Sequence, residues 1–170
     1  AARIDGATTL SVSKTNIRGN KARYGGGIYY TSTSATAASI TNCTIPGNTH
    51  VGTLDGGGIY TSGTSMNIIN STLAGNYAYR YGGGIRVQAG TVNIKNSIIY
   101  GNTAGTSGPQ ISGTPTVTFS NIEGIDSDPL FESFVVGDKA GNNDPKTSGN
   151  FHILSGSPCK DTGNNADAPA

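Results

Sequence analysis

Val92-Asn93-Ile94-Lys95-Asn96 is one member of a set, and the set decides how this chain folds. The pattern apolar-x-apolar-x-Asn returns as Ala38-x-Ile40-x-Asn42, Met66-x-Ile68-x-Asn70 and Val117-x-Phe119-x-Asn121. Leu10-x-Val12-x-Lys14 is an imperfect first copy. The central residues stand at 12, 40, 68, 94 and 119, at intervals of 28, 28, 26 and 25. Recurrence at that distance means one supersecondary unit copied along an axis.

Two more motifs keep the same beat. An aliphatic-x-Gly-Asn phrase recurs as Ile17-Arg18-Gly19-Asn20, Ile45-Pro46-Gly47-Asn48, Leu73-Ala74-Gly75-Asn76 and Ile99-Tyr100-Gly101-Asn102. A glycine triplet with isoleucine follows as Gly25-Gly26-Gly27-Ile28, Gly56-Gly57-Gly58-Ile59 and Gly82-Gly83-Gly84-Ile85, and decays to Gly108-Pro109-Gln110-Ile111. Apolar residues alternate over a few positions and are then interrupted by Gly, Asn, Ser or Thr, as in short strands. No segment places an apolar residue every three or four positions over a helical length. Gly is 26 of 170 residues, which disfavours helices and suits tight turns. The unit, with two or three short strands, has the length of one coil of a parallel β-helix. The expected fold is all-β: a parallel β-helix of about five coils, residues 1–122, with an irregular C-terminal capping segment, 123–170, in the same domain.

Stacking gives the repeated residues their roles. Val12, Ile40, Ile68, Ile94 and Phe119 form one expected inward file. Ile17, Ile45, Leu73 and Ile99 form a second, and Ile28, Ile59, Ile85 and Ile111 a third. Asn42, Asn70 and Asn96 fall above one another, as do Asn20, Asn48, Asn76 and Asn102. Both columns are expected to be structural, their amides laddering along the axis at coil corners.

Composition narrows function. No apolar run approaches ~18 residues, so no transmembrane segment is expected. The start, Ala1-Ala2-Arg3-Ile4-Asp5, does not read as a signal peptide. Cys43 and Cys159 lie too many coils apart for a disulfide unless the tail folds back, so free thiols are expected, and no His/Cys cluster calls for a metal or cofactor. Residues 1–120 hold eight bases and two acids, net +6. Residues 121–170 hold three bases and eight acids, net −5, and the sum is +1. The acidic tail is expected to fold on its own basic body; the alternative is head-to-tail self-association through the solenoid ends.

The repeats resemble those of the polymorphic outer membrane proteins of bacteria. Gly26-Gly27-Ile28 matches their Gly-Gly-small-aliphatic hallmark, and Ile17-Arg18-Gly19-Asn20 matches Phe-x-x-Asn with Ile in place of Phe. The tail resembles the end of bacterial β-helix proteins of the choice-of-anchor type: Ser120-Asn121-Ile122-Glu123-Gly124, then Asp126-Ser127-Asp128-Pro129-Leu130-Phe131, then Gly156-Ser157-Pro158-Cys159-Lys160-Asp161. Cys159 and Lys160 depart from the usual Ala and apolar residue. The resemblance implies a right-handed β-helix, secreted or displayed at a cell surface, and a chain that is a processed form or fragment. Most such proteins lack an established activity.

The related pectin lyase-like fold hosts polysaccharide lyases and hydrolases, which need clustered carboxylates on the coil face. Up to residue 120 the only acids are Asp5 and Asp55, and no enzyme is expected. His50 reads as a lone surface histidine, and Asp126, Asp128 and Glu132 as a solvated turn rather than a calcium loop. Thr31-x-Thr33 and Thr61-x-Gly63 begin, and Val87-x-Ala89 ends, a column of the kind that binds ice. The candidate ligand-binding surface is a strip of Arg23, Tyr24, Tyr29, Asp55, Tyr60, Arg80, Tyr81 and Arg86, with aromatic faces for sugars and cations for carboxylates. The competing reading is that these tyrosines cover glycine-rich backbone. The expected function is a non-catalytic extracellular or cell-surface solenoid, acting as adhesin, stalk or assembly module. The alternative is a polysaccharide-binding or polysaccharide-cleaving protein. Expected partners are a glycan or a host or matrix surface, and not nucleic acid, for which no motif is present.

Overall fold

The computed structural model describes residues 1–6, 9–53, 55–135 and 148–160. Parallel strands stack into a β-solenoid of about five turns, and the described residues contain no helix. Each of the three middle coils contributes four short strands, rather than two or three, to four parallel sheets, and the first and last coils contribute three each. In the second coil these are Ile28–Ser32, Ala38–Thr41, Thr44–Pro46 and Thr49–His50. We call their sheets I to IV in that order. Strands of two to five residues are too short to show much periodicity singly, so the signal lies in the stacking.

Register puts like over like. Ile28, Ile59, Ile85 and Ile111 pair in turn along sheet I. Val12, Ile40, Ile68 and Ile94 do so in sheet II, and Ile45, Leu73 and Ile99 in sheet III. The members from the second to the fourth coil are wholly buried. Two files end differently from the expectation. Val117, not Phe119, lies under Ile94, so the last interval is two residues shorter than the sequence pattern indicates. Phe119 instead takes the corner held above it by Asn96, at φ 50°, and is 56% exposed. Ile122 extends the third-sheet file beneath Ile99.

The two Asn columns work by different means. Asn42, Asn70 and Asn96 have φ of 54°, 49° and 49°, so they supply left-handed corners. Lys14 and Phe119 hold the same corner at φ 50°, which shows that the corner requires the backbone conformation and not the amide. The residue after each corner adds a ladder of its own. Thr15, Cys43, Ser71, Ser97 and Ser120 each donate to the carbonyl two residues earlier. The backbone N–H of Cys43, Ser71 and Ser97 donates to the hydroxyl of the next coil. Cys43 therefore occupies a serine position, and its thiol is buried and unbridged, as is the half-buried Cys159 thiol.

Asn20, Asn48, Asn76 and Asn102 form a continuous amide spine. Each Nδ2 donates to the Oδ1 one coil on, at 2.9, 3.0 and 2.8 Å. Each backbone N–H donates to that same oxygen. The second amide proton of Asn48, Asn76 and Asn102 goes to the carbonyl of Ile17, Ile45 and Leu73. Every donor and acceptor of Asn76 is thus used, as a side chain with no exposure demands. The glycine triplets make room for this spine. A Cβ on Gly58 would stand 2.6 Å from the Gly84 carbonyl oxygen and 3.1 Å from Asn76 Nδ2. A Cβ on Gly57 would stand 2.5 Å from the Tyr77 carbonyl carbon.

Side chains finish the spine where the coils stop repeating. Asn102 Nδ2 donates to Gln110 Oε1 at 2.7 Å, eight residues on instead of a full coil. Gly101 N–H donates at 2.8 Å to a carboxylate oxygen of Glu123, where Gly47 and Gly75 reach backbone carbonyls. Gln110 Nε2 donates to the same Glu123 oxygen. An antiparallel hairpin, Phe131–Val135 with Ser148–Ile153, follows. Phe131 anchors it, edge-on to Tyr100 and Phe151.

Asn76→Ala strands the Asn48 backbone N–H and one Asn48 amide proton in the interior. At ~1–3 kcal/mol for each buried unpaired group, the loss is about 3 kcal/mol in urea unfolding. Cys43→Ser, which restores the hydroxyl of the file, is expected to change stability by less than about 1 kcal/mol.

Candidate functional site

The predicted strip divides between two places. Arg3, Tyr29, Tyr60, Arg86 and Ser112 pair in sequence along the outer side of sheet I. Alternation along the strand explains this, since Ile28 and Tyr30 on either side of Tyr29 point inward and are wholly buried. Arg23 belongs to another face, just past the sheet IV strand Lys21–Ala22.

The sheet I file is closed on itself. The Tyr29 and Tyr60 rings are stacked, centroids 4.9 Å apart and planes at 13°. Tyr24 meets Tyr29 edge-on at 5.4 Å. The Arg3 guanidinium lies over Tyr24 at 4.8 Å and over Tyr29 at 5.5 Å. Arg3 also pairs with Asp5 at 2.7 Å, and the Thr31 hydroxyl donates to the other Asp5 oxygen at 2.6 Å. These bonds, that from Thr31 foremost, hold the Asp5 carboxyl below its ordinary value. Burial raises the Tyr29 phenol. Rings that face one another along the axis leave no open face between them for a sugar.

Asp55 organises the other end of the strip. It is 4% exposed and meets Arg80 Nε at 3.2 Å and Arg86 Nε at 3.5 Å. Arg86 also donates to Ser112 Oγ and Gln88 Oε1, both at 2.7 Å. Arg80 and Arg86 flank Tyr81 at 5.3 and 5.4 Å from its ring centre. The carboxylate therefore staples the segment before the second glycine triplet to the third coil. It accepts a hydrogen bond from Arg80 and is ion-paired with Arg86, and among the described residues it belongs to no cluster of His, Cys, Asp and Glu that could hold a metal.

His50 is a correction. The sequence reading puts it on the surface, but it is wholly buried. It follows Thr49 in sheet IV and so falls in an inward file with Ala22, Ala78 and Ala104. A two-residue strand gave the sequence no period from which to read this. His50 Nε2 lies 2.9 Å from the Arg23 carbonyl oxygen. A carbonyl only accepts, so Nε2 carries the proton and Nδ1 is a bare, buried nitrogen without a partner. Burial lowers its pKa, against a smaller upward pull from the Arg23 bond and Asp55.

The threonine column does not form. Thr61 pairs with Tyr30, not with Thr31, and is buried, while Thr31 is engaged by Asp5. Two hollows lie elsewhere, at the last coil. One of about 400 Å3 is lined by Ser97, Ser120, Asn121, Asp126 and Cys159 among others. The other, about 700 Å3, is lined by Ile111, Val117, Ile122, Glu123 and Ile125 among others. Among the described residues no His, Cys, Asp and Glu cluster fits a metal. No helix there is long and apolar enough to cross a membrane, which says nothing of strands. No family model matches the sequence, and no curated protein or solved structure matches it either.

His50 predicts a pH dependence. Above its ordinary value of 6.5 it is neutral folded and unfolded, and stability is complete. As pH falls below 6.5 the unfolded chain binds a proton that the folded chain resists, so stability drops until the lower folded pKa is reached. The urea midpoint is expected to fall between about pH 7 and 5. His50→Gln, whose amide can still reach the Arg23 carbonyl, is expected to flatten that slope. An equal slope in both proteins contradicts the assignment.

Proposed function

We propose that this chain is a non-catalytic β-solenoid that serves as a structural and adhesive module, secreted or displayed at a cell surface. The observation that carries this reading is the amide spine from Asn20 through Asn102 to Gln110. Its polar side chains are committed to joining coil to coil. That suits a part whose job is to hold a shape and present a surface. Asp5 and Asp55 support the same reading. Both are bound to arginines, so neither is placed as a free acid or base. The bacterial surface-protein resemblance supplies the expected setting.

The test is a turnover assay. The protein at micromolar concentration is incubated with polygalacturonate, xylan, dextran and heparin. Reducing ends and unsaturated uronates are measured over a day. No product above a heat-denatured control is expected. Release of either product, abolished by Asp55→Asn, overturns the non-catalytic reading.

A further inference from the structure

We infer that the outer face of sheet IV, with the loop residues that extend it, binds an acidic polysaccharide. The sheet I strip has its rings and cations engaged with one another. Sheet IV differs. Lys21, Thr49, Tyr77 and Thr103 pair in turn along it. Their neighbours Ala22, His50, Ala78 and Ala104 make the inward file, so the Lys21 file points away from the core; Thr49 within it is covered, at 3% exposure, while Lys21 is exposed and Tyr77 half-buried. Arg23 and Tyr79 follow two residues after Lys21 and Tyr77, and Val51 holds the same place in the coil between them.

The chemistry of this face is uniform. Lys21 and Arg23 are exposed, and neither has an ion-pair partner among the described residues. Tyr79 is 56% exposed, and Tyr77 is half-buried on the same side. The four sheet IV strands contain no acidic residue. Asp5, the acid nearest to these cations along the chain, is engaged by Arg3 and Thr31, and Asp55 is buried against Arg80 and Arg86. Strand spacing puts Tyr77 about 10 Å from Lys21, two strands away. The backbone under Arg23 is fixed, because its carbonyl is held by His50.

Cations of the first coil therefore stand two strands from the tyrosines of the third, across Thr49, on strands that carry no acidic residue. A sugar ring can lie on a tyrosine while its acid group reaches an arginine or lysine. A neutral glycan would leave the cations unused. A nucleic acid calls for a continuous basic track beside its phosphates, whereas these cations gather at one end of the rings. The inference deepens the adhesive reading and rests on it.

The test is retention and titration on immobilised polygalacturonate and heparin, with dextran and an oligothymidylate as controls. Wild type is expected to bind the two acidic polysaccharides, to weaken as salt rises, and to ignore dextran. Lys21→Gln/Arg23→Gln is expected to weaken binding by about tenfold and to flatten the salt dependence. Tyr79→Ala is expected to weaken binding several-fold without changing the salt slope. Both changes are at the surface, and an unchanged urea midpoint verifies the fold. No binding by wild type, or equal binding by the variants, overturns the inference. Equal or tighter binding of the oligothymidylate also overturns it, in favour of nucleic acid. Bond cleavage during retention would sink the non-catalytic reading and leave the binding face standing.

Discussion

Everything in this fold depends on the chain satisfying its buried polar groups from the coil above and the coil below. The interior is narrow. Any amide placed there must find all its partners within one coil spacing or remain unpaired at a cost of ~1–3 kcal/mol. Asn48, Asn76 and Asn102 meet that condition because each amide has two acceptors and one shared donor set within reach. The arrangement works only if the strand behind the amides comes close, and that requires residues without a Cβ at Gly57 and Gly58. The Asn spine and the glycine triplets are two halves of one device. That is why they recur together.

The period was legible because a solenoid coil must repeat its contacts. The files through Ile40, Ile45 and Ile59 could be written down from the sequence for the same reason. The reading failed where a residue's type pointed one way and its backbone another. Phe119 looks like core, but its position is a left-handed corner. The better signal was Ser120, because a small hydroxyl or thiol follows the corners at Thr15, Cys43, Ser71 and Ser97 as well. His50 was misplaced because its inward neighbours are alanines, which carry little sense of direction in a two-residue strand.

The surface was less legible than the interior. Register alone put Tyr29, Tyr60 and Arg86 in one file, and the structure has them there. What sequence could not give is ring orientation. Stacking at 13° turns the tyrosines toward one another, where a splayed pair would have offered open faces. Nor could it show that Arg23 and Tyr24, adjacent in the chain, serve different faces across a bend. Asp55 lies against Arg80 and Arg86, and its burial makes the group a staple between coils.

The spine also has a direction, and the direction explains the chemistry at its end. Each coil gives its Asn N–H and amide N–H to the oxygen of the next coil toward the C-terminus. The serine file runs the same way. The last full coil therefore presents unmet donors, and whatever closes it must bring acceptors. Gln110 brings an amide oxygen to Asn102, and Glu123 brings a carboxylate to Gly101 and Gln110. A lysine or arginine at either position would face donors with donors. The change from a basic body to acidic residues just past the coils thus has a local cause at its first member, Glu123, whose charge answers the polarity of the ladder it terminates.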